Sequence, residues 1–190
     1  LKMIWSIFSR IFLFFLGFVK VNFHGQPDQD ARFFVANHTC FFDGWFFLPF
    51  GPRPLGKKEL LDIPFFHEMA DVYQGIPVDR TKSCGLTKEL IANALDTSRP
   101  KIMILPEGAS TSGDYMLRFH LGAFLTDLPV QPVTLRYTLW GTSRKISNIS
   151  LFHNYKNHIL AFLSIPFITL DFTFLESMNI KSDGENDPRK

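Results

Sequence analysis

The stretch Arg32-Phe33-Phe34-Val35-Ala36-Asn37-His38-Thr39-Cys40-Phe41-Phe42-Asp43-Gly44-Trp45-Phe46-Phe47-Leu48-Pro49 carries the reading of the fold. It opens as a short strand at Arg32 to Val35, drops into a polar loop at Asn37-His38, and continues from Phe41 to Leu48 as a helix ended by Pro49 and Gly51. A strand that hands over to a helix through a polar loop is the repeating unit of an α/β fold. The same alternation continues downstream, with extended pieces at Arg53 to Leu55 and Ile76 to Val78 and a helix around Leu60 to Ala70. From Cys84 to Asp96, Leu86, Leu90, Ile91, Ala94 and Leu95 share one helical face, with Ser83 placed to cap the start. Buried-type strands follow at Lys101 to Leu105 and Val130 to Leu135, and an alternating one at Ile168 to Phe174. The expectation is a mostly parallel central sheet flanked by helices.

Bulk composition narrows the classes. A chain of 190 residues with 46% apolar content can bury one proper core, so one main domain is expected. The formal charge of +2 and the absence of basic blocks argue against a nucleic-acid partner. The 22 phenylalanines exceed what packing of a small enzyme asks for, and part of that ring surface is expected to face lipid. Cys40 and Cys84 form neither a disulfide framework nor a zinc arrangement, so no metal is expected.

A chain beginning at Leu1 is expected to be a piece of something longer. Its opening is apolar, with an unbroken run from Ile11 to Val19, yet a spanning helix needs ~20 such residues and Arg10 interrupts this one. Read as a helix, Lys2, Ser6, Ser9, Arg10, Gly17 and Lys20 form a narrow polar stripe beside a wide apolar face, which suits a helix lying in the headgroup boundary. A signal peptide, which would lack its small-residue cleavage site here, and the end of a truncated transmembrane helix are the alternatives. The expected division is 1–24 as a membrane-associating helix, 25–180 as the main domain and 181–190 as a polar tail.

In an open α/β sheet, ligands gather at the carboxyl ends of strands. Three polar sets stand there: Asn37-His38, Asp79-Arg80 and Glu107-Gly108. On a continuous helix the spacing of His38 and Asp43 would put them on different faces, so they meet only if His38 lies in a loop and Asp43 on the turn that follows. An imidazole held by a carboxylate on one nitrogen offers the other as a base. Taken alone, such a pair is more often structural. The Glu107-Gly108-Ala109-Ser110-Thr111 loop suits a polar headgroup or an oxyanion, though taken alone such a loop is more often an ordinary turn with helix-capping residues. Arg80 offers a fork of donors matched to a phosphate, or a salt bridge to Asp79. Cys40 raises a rival mechanism through a thiolate, against simple packing beside Phe41 and Phe42.

Taken in order, Asn37-His38-x-x-x-x-Asp43, Gly75-Ile76-Pro77-Val78-Asp79-Arg80, Pro106-Glu107-Gly108 and Val130-Gln131-Pro132-Val133 resemble the four sequence blocks of the glycerolipid acyltransferase family. Lys57-Lys58-Glu59-Leu60 with Ile63-Pro64-Phe65 is similar to the basic segment between the first two blocks. The resemblance runs from about Phe33 to Leu175. Leu128 to Tyr137, preceded by Gly122-Ala123-Phe124, looks like the fourth block of the lysophosphatidylcholine and lysophosphatidylethanolamine branch.

What the resemblance implies is a glycerol-phosphate acyltransferase-like fold and an acyl-CoA-dependent transfer to the free hydroxyl of a 1-acyl lysophospholipid, lysophosphatidic acid included. No covalent enzyme intermediate and no tightly bound cofactor are implied; acyl-CoA is a cosubstrate. His38 would be the general base and Asp43 its orienting partner. Arg80, Glu107, Gly108, Thr111 and Lys58 would hold phosphate and glycerol, with N–H groups near Gly108 facing the thioester oxygen, and Pro132 and Val133 would shape the acyl or donor side. The implied partners are the two substrates and a membrane, the implied place the cytosol-facing endoplasmic reticulum. Two departures stand out: Ala109 where the family usually has Thr, and His120 where it commonly has Lys. An acyl-thioester hydrolase, for which the G-x-S-x-G turn is missing, and a non-catalytic membrane-attached lipid-binding module are the alternatives.

Overall fold

The structure is a computed structural model and describes residues 1–79, 86–120, 124, 128–146, 157, 160–161, 163–165 and 167–179. Seven strands make one sheet: β1 (Phe18–His24), β2 (Phe33–Ala36), β3 (Arg53–Lys57), β4 (Ile76–Val78), β5 (Ile102–Ile104), β6 (Val130–Leu139) and β7 (Ile168–Phe174). Their spatial order is β1-β7-β6-β2-β5-β3-β4. Every neighbouring pair is parallel except β6 with β7, so β1 and β7 run against the other five. The mostly parallel α/β sheet expected from the alternation of strands and helices is what forms.

Strand β2 shows why the sheet is buried on both faces. Side chains alternate along a strand, and Phe33 and Val35 join one apolar cluster with Ile76, Leu90, Ala94, Ile102 and Ile104. Phe34 and Ala36 point the other way, into a larger cluster with Phe46, Phe47, Val133, Leu135 and Phe172. Burying each such phenylalanine contributes about 2–3 kcal/mol. Helix α3 (Leu86–Leu95) covers the first face through Leu90 and Ala94. Helices α1 (Lys2–Phe15) and α2 (Pro64–Tyr73) and a 3-10 segment, Asp43–Phe50, cover the second.

Three elements differ from the sequence reading. The apolar opening does not continue as a helix to Lys20: α1 stops at Phe15, Gly17 takes φ 98, and Phe18–His24 becomes β1, paired with β7. The helix expected at Phe41 to Leu48 is a 3-10 segment shifted to Asp43–Phe50, containing Pro49 and closed by Gly51 at φ 68. The helix expected near Leu60 starts at Pro64, after a second 3-10 segment, Lys58–Asp62. Ser83 and Cys84, at the expected start of α3, and the tail at 181–190 lie outside the described residues.

Helix α1 docks through one side. Leu13 is buried, Phe12 packs on Trp45 at 5.0 Å and Trp5 on Phe65 at 5.0 Å between ring centroids. The Tyr73 hydroxyl donates to the Lys2 carbonyl at 3.0 Å. Its other side, Met3, Ile4, Ile7, Phe8, Ile11, Phe14 and Phe15, is exposed. No helix of the described residues is long and apolar enough to cross a membrane.

Candidate functional site

The site begins where β2 ends. Asn37, the next residue, prolongs the β2–β6 ladder with its side chain: its amide N–H donates to the Leu135 carbonyl at 3.0 Å and its Oδ1 accepts from the Leu135 N–H at 2.8 Å. His38 is thereby set at the edge of the sheet. Its own peptide is held on both sides. The His38 N–H donates to Glu107 Oε1 at 2.7 Å, and the His38 carbonyl accepts from the Thr111 N–H at 2.8 Å.

The imidazole Nδ1 lies 2.9 Å from Asp43 Oδ2. Asp43 is fully buried and opens the 3-10 segment, which turns its carboxylate back over the loop. The same Oδ2 accepts from the backbone N–H of Thr39 at 2.7 Å and of Cys40 at 2.8 Å, while Oδ1 accepts from the Tyr137 hydroxyl of β6. Four donors satisfy this buried carboxylate. A carboxylate only accepts, so Nδ1 carries the hydrogen and Nε2 carries the lone pair. The imidazole side chain keeps 19% of its surface open to solvent.

Tyr137 and Cys40 sit behind the pair. Burial first, and then the charge of Asp43, push the Tyr137 phenol well above its usual range, which keeps it a donor. The same two causes raise the Cys40 thiol well above its usual range. Cys40 is fully buried. A sealed thiol held toward its protonated form is a poor nucleophile, which weighs against the thiolate mechanism that its position in the loop suggested.

Two spaces are lined in part by residues of the loop that carries His38. One is a cavity of about 300 Å³, where Phe41, Gly44 and Trp45 of that loop meet Leu55, Phe66 and Met69. It sits at the small end of ligand sites and is mostly apolar. A second cleft of about 300 Å³ is lined by Asn37, Thr39, Gly113, Leu135, Tyr137 and Lys145. The Lys145 ammonium donates there to the Gly113 carbonyl. An imidazole base in a loop that borders both spaces can take a proton from a hydroxyl brought to its Nε2.

The residues singled out in the sequence as substrate contacts make the following contacts within the chain. Glu107 is only 4% exposed, and its second oxygen accepts from the Leu117 N–H at 2.9 Å, so both of its oxygens brace the loop. Thr111 is equally buried; its hydroxyl donates to the Tyr115 carbonyl at 3.2 Å. Gly108 takes φ 68 in a turn where its N–H donates to the Leu105 carbonyl at 3.1 Å, which engages that donor elsewhere than at a thioester oxygen. Lys58 is exposed on the second 3-10 segment, and its neighbour Lys57 is the one that borders the apolar cavity. Val133 is buried in the core and Pro132 pairs with Val35; neither lines either space. Arg80 lies outside the described residues, as do His153 and His158.

His120 is exposed, with its N–H on the Pro106 carbonyl at 2.9 Å, directly behind the Glu107 turn. Tyr137 is the residue that sequence reasoning missed. Its signal was the alternation Val133, Leu135, Tyr137, which puts all three on the face of β6 that carries the loop after β2. Among the described residues no three His, Cys, Asp or Glu side chains gather as a metal-ligand set.

A family model described as Acyltransferase matches residues 20–136, more than half of the chain. The chain belongs to the Acyltransferase family. Among relatives of this acyltransferase chain, the lysophospholipid acyltransferase LPCAT4 of Homo sapiens is 31% identical over 137 residues, covering 68% of this chain and 26% of that protein. The lysophospholipid acyltransferase LPEAT2 of Arabidopsis thaliana is 28% identical over 151 residues, covering 76% and 28%. The chain thus spans about a quarter of the length of these relatives. The crystal structure of the 1-acyl-sn-glycerophosphate (LPA) acyltransferase PlsC of Thermotoga maritima has the same fold, with a TM-score of 0.66 at 19% identity over 98% of this chain and 72% of that one. The family match takes in His38, Asp43 and Glu107 and stops one residue short of Tyr137.

Proposed function

We propose that the chain transfers a fatty acyl group from acyl-CoA to the free hydroxyl of a 1-acyl lysophospholipid, with His38 as general base. The observation that carries this is the four-donor burial of Asp43, which holds the His38 ring with Nε2 as the free base at an open sheet edge. Nε2 takes the hydroxyl proton as the oxygen attacks the thioester carbon; the tetrahedral adduct collapses, the carbon–sulfur bond breaks, and the departing CoA thiolate recovers the proton from the imidazolium. Asp43 orients the ring and balances its transient charge. No acyl group passes through the protein, in keeping with the sealed Cys40 thiol. The apolar cavity beside Trp45 receives an acyl tail. Arg80 and the exposed cations Lys57 and Lys58 meet phosphate, and acyl-CoA is a cosubstrate with no tightly bound cofactor. The relatives' names, lysophospholipid acyltransferase and lysophosphatidylcholine acyltransferase, favour lysophosphatidylcholine as acceptor over lysophosphatidic acid. The exposed row of α1 lies in the headgroup layer of a membrane, which we take to be the cytosolic face of the endoplasmic reticulum, where acyl-CoA is available.

The test is an assay of the purified chain with acyl-CoA and each of lysophosphatidylcholine, lysophosphatidylethanolamine and lysophosphatidic acid. The expected result is acceptor-dependent CoA release that falls by about 10³-fold or more in His38→Ala. Transfer by that variant at the wild-type rate would overturn the base. CoA release that needs no acceptor would make the chain a hydrolase, and lipid binding without turnover a binding module.

A further inference from the structure

Strand β6 outruns its neighbour. Ala36, the last residue of β2, pairs with Val133, while β6 continues to Leu139 and pairs there with Ile168 at the start of β7. Two backbone bonds tie other segments to this overhang: the Trp140 N–H donates to the Phe167 carbonyl at 2.7 Å, and the Ile168 N–H to the Gly17 carbonyl at 2.6 Å. Trp140, Phe167 and the aromatic end of α1 therefore stand together beyond the sheet edge that carries His38. Trp140 lies five residues, or ~17 Å, past Leu135, the residue that Asn37 pairs with.

This projection is apolar and uncovered. Trp140 is 55% exposed, Phe167 53% and Phe15 73%, with the Trp140 and Phe167 ring centroids 5.7 Å apart. Phe167 adopts φ 63, a left-handed conformation that glycine takes freely and a phenylalanine resists. A bulky ring kept in an unfavourable backbone conformation at an exposed tip points to a use for the ring. Along the sequence, the segments that carry these rings have charge of one sign. Residues 1–27 and 128–170 hold seven Lys and Arg and no Asp or Glu, while all 18 acids lie in the rest of the chain. Arg144 sits in the turn directly after Trp140, its carbonyl accepting from the Leu139 N–H at 3.0 Å.

We propose that Trp140 and Phe167, with Phe14 and Phe15 beside them and Arg144 at the rim, form a foot that docks the His38 edge of the sheet onto an anionic phospholipid leaflet. The aromatic pair suits the headgroup layer, and the segregated cations favour anionic lipid over a neutral surface or an acidic-rimmed protein. This rests on the membrane attachment proposed above and deepens it, by adding a contact remote in sequence from α1 and by fixing which edge of the sheet faces the lipid.

Flotation of the 190-residue chain with vesicles of phosphatidylcholine alone and of phosphatidylcholine mixed with phosphatidylserine tests it. Wild type is expected to partition more strongly onto the mixed vesicles. The double variant Trp140→Ser/Phe167→Gly is expected to lose binding on the order of tenfold on both kinds of vesicle. Arg144→Glu is expected to lose only the preference for phosphatidylserine. Because glycine relieves the Phe167 backbone, the Phe167→Gly single variant keeps or raises its urea midpoint, which separates lost docking from lost folding. Equal partition of wild type and the double variant would overturn the proposal. So would a double variant that turns a dimer into monomers while lipid binding holds, since the patch would then be a protein contact. Vesicle binding needs no turnover: a chain that docks through the foot without transferring acyl groups fails only the catalytic reading, and one that acylates a monomeric short-chain acceptor without docking fails only this one.

Discussion

Asp43 is over-determined, and the hydroxyl that completes its set comes from a strand distant in sequence. Tyr137→Phe keeps the ring in the core and removes the donor to Oδ1, leaving one carboxylate oxygen buried without its partner. The expected cost is about 1–3 kcal/mol of stability. Catalysis should lose on the order of 10-fold to 100-fold in kcat, with KM little changed, because the loss falls on orientation of His38 and not on substrate contacts. Steady-state kinetics beside urea unfolding would show both. Cys40 makes the opposite case. Its thiol is held protonated in the fold, whereas in the unfolded chain it ionises near pH ~8.5. The stability it contributes is complete below that pH and is lost as pH rises through and beyond it. Cys40→Ala is expected to keep acyl transfer and to flatten the alkaline side of the stability profile, read by unfolding from pH 7 to pH 10. Abolished transfer with the fold intact would return the thiol to the mechanism.

At this scale the His38–Asp43 contact was legible in the sequence, and the inward turn of its neighbours was not. His38 and Asp43 were legible because their spacing works only across a loop followed by a turn. Glu107 and Thr111 read as substrate contacts because a strand-end loop displays its polar residues without saying which side they face. Both turn inward to grip the two ends of the His38 peptide unit.

Among the elements, the central strands were the most legible, because a strand buried on both faces reads as an apolar run bounded by polar loops. Strand β1 was hidden by the same property. The run from Ile11 to Val19 is apolar on both sides of Gly17, and only pairing with β7, about 150 residues away, separates helix from strand. The 3-10 segment after His38 was read as an α-helix because its composition suits one. The Asp43 carboxylate draws the Thr39 and Cys40 N–H groups to itself, and Pro49 within the segment has no N–H to extend a helical ladder. The exit from β1 sets a strict demand. Gly25 has φ 72, and a Cβ there would lie 2.5 Å from the Phe174 carbonyl oxygen at the end of β7. Gly25→Ala must move one of the two strand ends, and is expected to cost about 1–3 kcal/mol, measured as a lower urea midpoint.

Over the whole molecule, the parallel strands gather His38 and the Glu107 turn at one edge, and the antiparallel β6–β7 pair lengthens that edge outward. Parallel order was legible from the strand and helix alternation; the reversal at β7 was not, since no short hairpin marks it. At the opposite edge lies a quieter feature. The Lys101 ammonium donates to the carbonyls of Asp28, Gln29 and Ala31, each at 2.6 Å, and faces the Phe34 ring. An ammonium ringed by carbonyl oxygens does for this turn what a calcium ion does for many loops, but its positive charge is covalently tethered. The turn before β2 is therefore indifferent to chelators and vulnerable to reagents that cap amines, so acetylation of a single side chain would loosen the entry to the strand from which His38 hangs.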